Sequence, residues 1–226
     1  MKNIIAHRGV FDNVNIIENS IKAFKEAIKL GYDIEFDVQL TKDNKLVVFH
    51  DDNLLRMTGL DKYICDCTYD EISNLTLLNT NQHIPSLDDV LKIIGDKVFM
   101  DIEIKGNKRI KIICDLLIEK LNNYNNYSLK SFNPKVSRYL KKNYSNEKTG
   151  YLINNKYDNK ILNYILPTKL MIKYSKCDFI SINKKLLKND KFLELSKLYP
   201  TQIWTITDKS EILNSEYTYI CNNIKK

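Results

Sequence analysis

Two of the three histidines stand directly after short apolar, β-branched runs: His7 follows Ile4-Ile5-Ala6, and His50 follows Leu46-Val47-Val48-Phe49. Each has a charged neighbour, Arg8 or Asp51. Where strands are parallel and close into a barrel, their C-terminal ends converge on one mouth where catalytic groups collect. A histidine taken alone is more often a capping or hydrogen-bonding residue, and it is the repeated position that points to chemistry. His83 lies in polar loop sequence and reads as solvated. The acidic residues show a second pattern. Glu35-x-Asp37 lies within one predicted strand and Asp101-x-Glu103-x-Lys105 within another, so each pair of carboxylates shares a face. A sheet turning a polar face to water would look the same, but parallel strands are covered on both sides. Buried carboxylates repel one another and take up protons unless a cation neutralises them. An all-oxygen ligand set favours a hard divalent ion, Mg²⁺ or Ca²⁺, over zinc. Arg8 and Lys105 add positive charge suited to a phosphate.

The elements that must position these groups follow from the hydrophobic periodicity. Residues 3–6, 32–40, 45–50, 97–104, 127–131, 149–153, 178–183, 202–206 and 217–221 read as strands. Ser20–Leu30 spaces Ile21, Phe24, Ala27 and Ile28 as a helix, with Asn19 or Ser20 as cap and Gly31 as stop. Further helices are predicted over 87–94, 108–121, from Pro134 onward, and over 159–166, 189–198 and 209–213. About eight β/α alternations in 226 residues predict an α/β chain, a (β/α)8 TIM barrel before an open sheet. In a barrel the C-terminal ends of strands converge on one mouth, which is where His7 and His50 are expected. No linker or repeat divides the chain, so residues 1–226 read as one domain, with 51–85 an insertion that breaks the rhythm.

Composition narrows the partners. Hydrophobic residues are 43% and charged residues 28%, as in ordinary soluble domains. The apolar runs are far too short for a membrane span, so no membrane insertion is expected. The net charge of +7 does not imply nucleic acid, because only four of the 35 basic residues are Arg and none cluster. Lys, Asn and Ile are abundant throughout, which reads as compositional drift. The five cysteines are scattered and odd in number, and the first apolar stretch ends at His7, too soon for a signal-peptide core. Both point to a reduced cytoplasmic setting. Cys65-x-Cys67 lacks a second pair at zinc spacing.

The ordered set His7-Arg8-Gly9, Glu18-Asn19-Ser20, Glu35-Phe36-Asp37-Val38-Gln39-Leu40-Thr41, Val48-Phe49-His50-Asp51 and Ile102-Glu103-Ile104-Lys105 resembles the glycerophosphodiester phosphodiesterase family. The likeness is dense over 4–59, returns at Ile84-Pro85-Ser86-Leu87 and 101–105, and thins afterwards to Ser131-Phe132 and Trp204-Thr205-Ile206. It implies a (β/α)8 barrel with a small insertion after the second strand. It also implies that Glu35, Asp37 and Glu103 hold one divalent metal, and that His7 and His50 are the acid/base pair. Arg8 and Lys105 would hold phosphate oxygens, Glu18 would stand at the same mouth, and Trp204 would wall the substrate pocket.

The implied reaction is hydrolysis of a small-molecule glycerophosphodiester to glycerol 3-phosphate and an alcohol. A lysophospholipase D or sphingomyelinase D-like enzyme is the neighbouring reading. The sequence departs from the family pattern in a bulky Val10–Ile17 loop without Gly or Pro, and in its closing Ile220-Cys221-Asn222-Asn223-Ile224. Two other classes compete. A proofreading-type exonuclease would use Asp33-Ile34-Glu35 and Tyr174-x-x-x-Asp178, but leaves both histidine motifs unexplained. A catalytically silent phosphate-binding barrel would lack a histidine or a metal ligand, and none is missing.

Overall fold

A computed structural model describes residues 4–106, 109–157, 160–212 and 214–222. Residue 3 of the first expected strand, 108 and 159 of two expected helices, 213 at the end of another and 223–224 of the closing segment lie outside these residues. The chain divides into two compact units, one of Ala6–Tyr127 and the other of Ser128–Lys226 with Met1–Ile5, the boundary falling inside strand β1 (Ile4–His7).

In the Ala6–Tyr127 unit, helix α1 (Ile21–Lys29) starts where predicted. Ser20 keeps an extended backbone and its hydroxyl accepts the Ala23 N–H, after which Ala23, Phe24 and Ala27 bury one face. Strand β2 (Asp33–Leu40) and strand β3 (Leu46–Val48) follow, joined by a tight turn in which Thr41 accepts the Lys45 N–H on its hydroxyl and donates its own N–H to the Lys45 carbonyl. The strand expected over 45–50 is thus shorter than predicted, and it runs antiparallel to β2, with Val38 opposite Val48 and Leu40 opposite Leu46. It is the return arm of a hairpin, so the barrel-mouth argument does not hold for His50.

Residues 51–85 form the irregular excursion anticipated from the sequence. Short helices α2 (Leu55–Thr58) and α3 (Tyr69–Ser73) close over a core of Leu54, Met57, Ile64, Ile72, Leu77 and Ile84, which also buries Ile17, Val47 and Phe49. A capping box between Thr68 and Glu71 starts α3. Helix α4 (Leu87–Ile94), capped by Ser86, leads to strand β4 (Met100–Ile104) and helix α5 (Ile110–Leu121). Strand β4 pairs parallel with β2.

The other unit carries strand β5 (Tyr127–Ser131), helix α6 (Pro134–Asn143) with Pro134 in its first turn, strand β6 (Thr149–Ile153), helices α7 (Lys160–Ile165) and α8 (Lys169–Ser175), strand β7 (Phe179–Asn183), helix α9 (Asp190–Leu198), and strands β8 (Thr201–Ile206) and β9 (Thr218–Cys221). Neighbours from β5 to β9 are all parallel. Helix α8 is not announced by the sequence, because only Ile172 and Ser175 are buried along it. The helix expected over 209–213 is a single 3₁₀ turn, Lys209–Glu211. With β3 set aside as a hairpin arm, the strand–helix order is that of a (β/α)8 barrel.

Gly9 has φ +81°, and a Cβ placed there would lie 2.8 Å from the Ala23 side chain and 2.9 Å from its backbone. Gly9 also donates its N–H to the Ala6 carbonyl, and Val10 donates to Ala23, so the turn cannot drift away from α1. Left-handed strain and overpacking together set the cost of Gly9→Ala at about 2–4 kcal/mol, measurable as a lowered urea midpoint with unchanged slope.

Candidate active site

Strand pleating puts Glu35, Asp37 and Gln39 on one face of β2, while Ile34, Phe36 and Val38 are fully buried on the other. The parallel register sets Asp37 level with Glu103 and Glu35 level with Asp101. The outcome is a buried trio, Glu35, Asp37 and Glu103, whose oxygens lie within 4.8 Å of one another. Asp101, one pleat deeper, stays outside it. Among the described residues this is the one acidic, histidine or cysteine cluster compact enough to hold a metal ion. The donor set fits a hard divalent cation. Asp37 Oδ1 and Glu103 Oε1 are buried, and both lack a hydrogen bond of normal geometry.

Lys105 leaves the end of β4 on the Glu103 face, and its Nζ sits 3.0 Å from Asp37 Oδ1 and 2.7 Å from Glu103 Oε1. Burial opposes the charge on Lys105, but the two carboxylates outweigh it and hold its pKa above the ordinary lysine range. Burial likewise works against ionised Asp37, yet Lys105, His50, Arg8 and a hydrogen bond from Asn19 hold that carboxyl well below its usual range. Glu103 goes the other way. Burial pushes its pKa up, repulsion from Asp37 and Glu35 adds to the rise, and Lys105 opposes it.

The end of β1 and the turn after it deliver His7 and Arg8. His7 Nε2 lies 4.0 Å from Glu35 Oε2, and the Arg8 backbone N–H donates to the same oxygen at 3.1 Å. The Arg8 guanidinium donates to Glu18 Oε1 at 2.7 Å and brings Nε to 3.5 Å from Asp37 Oδ2. That Nε is buried without a hydrogen-bond acceptor. Glu18 is buried, which disfavours its charge, but Arg56, Arg8 and Asn13 bring its pKa down to about 2. The neighbouring Asn19 amide donates to Asp37 Oδ2 at 2.8 Å.

His50 arrives by a route that strand ends do not predict. The hairpin folds back so that Phe49 N–H donates to the Asp37 carbonyl, and Gln39 Nε2 donates to the carbonyls of Phe49 and Asp51 at 2.9 and 2.7 Å. His50 Nδ1 lies 2.6 Å from Asp51 Oδ1. Burial lowers the His50 pKa, partly opposed by Asp37 and aided by Lys105 and Arg8. Asp51 stays ionised despite its own burial because Arg56 and His50 lower its pKa. An ionised carboxylate can only accept, so Nδ1 carries the proton toward Asp51. Asn19 and Gln39 fall within the quoted motifs without a role being read for them at the site, and Arg56 is the supporting residue that the motifs do not contain. For Arg56 the one available signal is its offset of five from Asp51. A cavity of about 400 Å³ beside Lys105 is lined by Gln39, Tyr63, Asp66 and Arg109.

Trp204 belongs to the Ser128–Lys226 unit. It stands on β8 with its ring edge-on to Phe132, centroids 5.6 Å apart, and its Nε1 is buried without an acceptor. The exonuclease pattern finds no support in the elements. Asp33 accepts the Phe99 N–H at 2.9 Å, and Asp178 precedes β7 rather than standing on a helix, accepting from Thr149 N–H and Lys141.

Residues 7–191 match the Glycerophosphoryl diester phosphodiesterase family, a stretch that contains every member of the carboxylate, histidine and cation cluster. The chain belongs to this family. A glycerophosphodiester phosphodiesterase of Caldanaerobacter subterraneus is 40% identical over 158 residues, 61% of this chain and 64% of that protein. A human lysophospholipase D is 34% identical over 128 residues, 50% of this chain and 40% of the relative. The chain thus spans less than two thirds of the length of these curated relatives. An Oleispira antarctica phosphodiesterase, solved in complex with the product sn-glycerol-3-phosphate, superposes with a TM-score of 0.84 at 20% identity, over 99% of this chain and 93% of that one. A Parabacteroides distasonis glycerophosphodiester phosphodiesterase gives 0.78 at 24%, over 98% and 92%. With the strand–helix order, these likenesses establish the fold as a (β/α)8 barrel. No described helix is long and apolar enough to cross a membrane.

Lys105 is the cation bound directly to two members of the trio. In chelator, Lys105→Met should lower unfolding stability by about 3–5 kcal/mol, the usual cost of leaving buried charge unpaired. Millimolar Mg²⁺ or Ca²⁺ should recover most of it. A variant as stable as the parent in chelator would show that the trio does not depend on this lysine.

Proposed function

We propose that this protein hydrolyses glycerophosphodiesters to glycerol 3-phosphate and an alcohol, using a divalent cation. The observation that carries the reading is the placement of two histidines and two cations around one buried carboxylate trio, all within residues 7–105. Glu35, Asp37 and Glu103 would hold the cation, which supplies positive charge to the phosphoryl oxygens as negative charge builds on them. The chain's own residues do the rest. Arg8, its guanidinium held between Glu18 and Asp37, and Lys105 in the same cluster would hold phosphate oxygens. One histidine takes the proton of the nucleophile, the glycerol 2-hydroxyl or water, and the other protonates the departing alkoxide. His50, with Nδ1 bonded to Asp51, presents Nε2 for that exchange. Glu18 holds Arg8 in place, and the assignment of Trp204 to the substrate wall rests on the family pattern.

The product named for the Oleispira antarctica structure supports glycerol 3-phosphate as the released half. The human lysophospholipase D supports a second reading in which the diester carries an acyl chain. The composition of the chain, with no described membrane span, favours water-soluble head-group diesters and a cytoplasmic site of action, and the barrel with its insertion is proposed to act as one domain.

Chelation should abolish release of glycerol 3-phosphate, and Mg²⁺, Mn²⁺ or Ca²⁺ should restore it. Glu35→Gln should weaken divalent binding at least tenfold in calorimetry, whereas Glu119→Gln, on the exposed side of α5, should not. Activity that survives exhaustive chelation would refute the metal assignment. His7→Ala and His50→Ala should each lose about 10²–10⁴ in turnover while binding the cation nearly as well as the parent. A diester with a very acidic leaving alcohol should rescue the variant that lacks the acid and not the one that lacks the base. Near-parental turnover in both, with cleavage of single-stranded DNA, would move the assignment to a nuclease.

A further inference from the structure

Arg56 lies outside the family of groups assigned above, yet it touches two of their supports. Its Nε and Nη2 reach the two oxygens of Asp51 at 2.5 and 3.1 Å, a two-point clasp on one carboxylate. The same Nη2 donates to Glu18 Oε1 at 2.8 Å, the oxygen that also accepts Arg8 Nη1. Arg56 stands on α2, whose Leu54 and Met57 are anchored in the core of the insertion. A continuous run therefore leads from the insertion core through Arg56 to Asp51 and His50 on one side, and to Glu18 and Arg8 on the other. Gln39 holds the backbone on both sides of His50 but touches neither its ring nor the Asp51 carboxylate. The Asp51 carboxylate is tied to the insertion by the two-point contact from Arg56.

We propose that Arg56 is a positioning residue: it fixes the Asp51 carboxylate against His50 Nδ1, so that the insertion sets the orientation and tautomer of the imidazole. This rests on the reading of His50 as acid or base. Without the clasp, Asp51 turns toward solvent, the imidazole loses its acceptor, and the fraction of molecules presenting Nε2 to the substrate falls. Lys105 does not bond Arg56, and Glu18 keeps its bonds to Arg8 Nη1 and to Asn13, so substrate binding is retained while turnover drops.

The test is kinetic and spectroscopic, on the full chain with Mg²⁺ and glycerophosphocholine, whose weakly acidic leaving alcohol needs both the acid and the base. Arg56→Met should lower kcat by about 10–100-fold, the scale of a small misplacement of a reacting group, with KM within threefold. In a His50→Ala background the same substitution should cost less than threefold, because its route of action is gone. The ¹⁵N spectrum of the His50 ring should change from a fixed Nδ1–H tautomer to a mixture in Arg56→Met, with His7 unaffected. Arg56→Lys keeps the charge and loses the fork, and should fall between the parent and Arg56→Met; it carries the test if Arg56→Met does not fold. Equal losses in the parent and His50→Ala backgrounds, or an unchanged kcat with an unchanged ring spectrum, would overturn the positioning role alone. Parental turnover in His50→Ala would overturn the reading of His50 and the proposal with it.

Discussion

Mutual repulsion among Glu35, Asp37 and Glu103 is the constraint on which the neighbouring structure depends. Three carboxylates whose oxygens lie within 4.8 Å, each almost wholly removed from water, cannot all stay ionised unless positive charge and hydrogen-bond donors surround them. The chain supplies both from separate elements: Lys105 from the end of β4, Arg8 and its backbone N–H from the turn after β1, and Asn19 from the residue before the cap of α1. Asn19 is buried and Arg8 and Lys105 are only slightly exposed, positions unfavourable to such groups without the carboxylates. The two sets stabilise each other, and neither is intelligible alone. The unequal result, with Asp37 held down and Glu103 held up, follows from how many donors each one meets.

Much of this is written in the sequence in a form that strand geometry makes readable. Alternation in Glu35-x-Asp37 and Asp101-x-Glu103-x-Lys105 fixes which side chains share a face, and the observed β2–β4 register brings the two faces together. What alternation cannot say is which carboxylate of the second pair joins the first. That is decided by a register set between strands more than sixty residues apart, and it selects Glu103 over Asp101. For His50 the sequence led to the right neighbourhood by the wrong reason. The apolar run before it is a strand, but an antiparallel one, and the hairpin rather than a barrel strand end returns His50 to the level of Asp37.

The supporting residues were less legible because they act across long separations. Arg56 meets Glu18 at a distance of 38 residues, and nothing in the local pattern of LLRMT marks the arginine. Ile17 reads as part of a bulky loop, yet it is fully buried in the core of residues 51–85. The absence of Gly and Pro from Val10–Ile17 has a similar answer. One oxygen of Asp12 accepts the N–H groups of Val14, Asn15 and Ile16, and Asn13 takes φ +55° while its side chain bonds Glu18 at both ends. The loop is ordered by side-chain hydrogen bonds where the family pattern uses backbone-permissive residues.

That substitution extends beyond one loop. Among the described residues, positive-φ positions are held by Gly9, Gly31, Gly59 and Gly95, by Asn13, Asn19, Asn44 and Asn79, and by Arg8, Leu78 and Lys176, asparagine being the residue that tolerates them best after glycine. Arg8 does not fit this explanation, since at φ +56° it holds a long side chain in a conformation costing about 1 kcal/mol or more. Its surroundings account for it. The left-handed turn aims the Arg8 N–H at Glu35 while its carbonyl accepts the Asn19 N–H, and it sends the guanidinium between Glu18 and Asp37. Glycine at this position would remove the strain together with the side chain that, among the described residues, reaches both Glu18 and Asp37. An extended backbone would relieve the strain and turn the N–H away from Glu35. The strained residue persists because three separate interactions need that one conformation, and all three end on the groups that confine charge in the site.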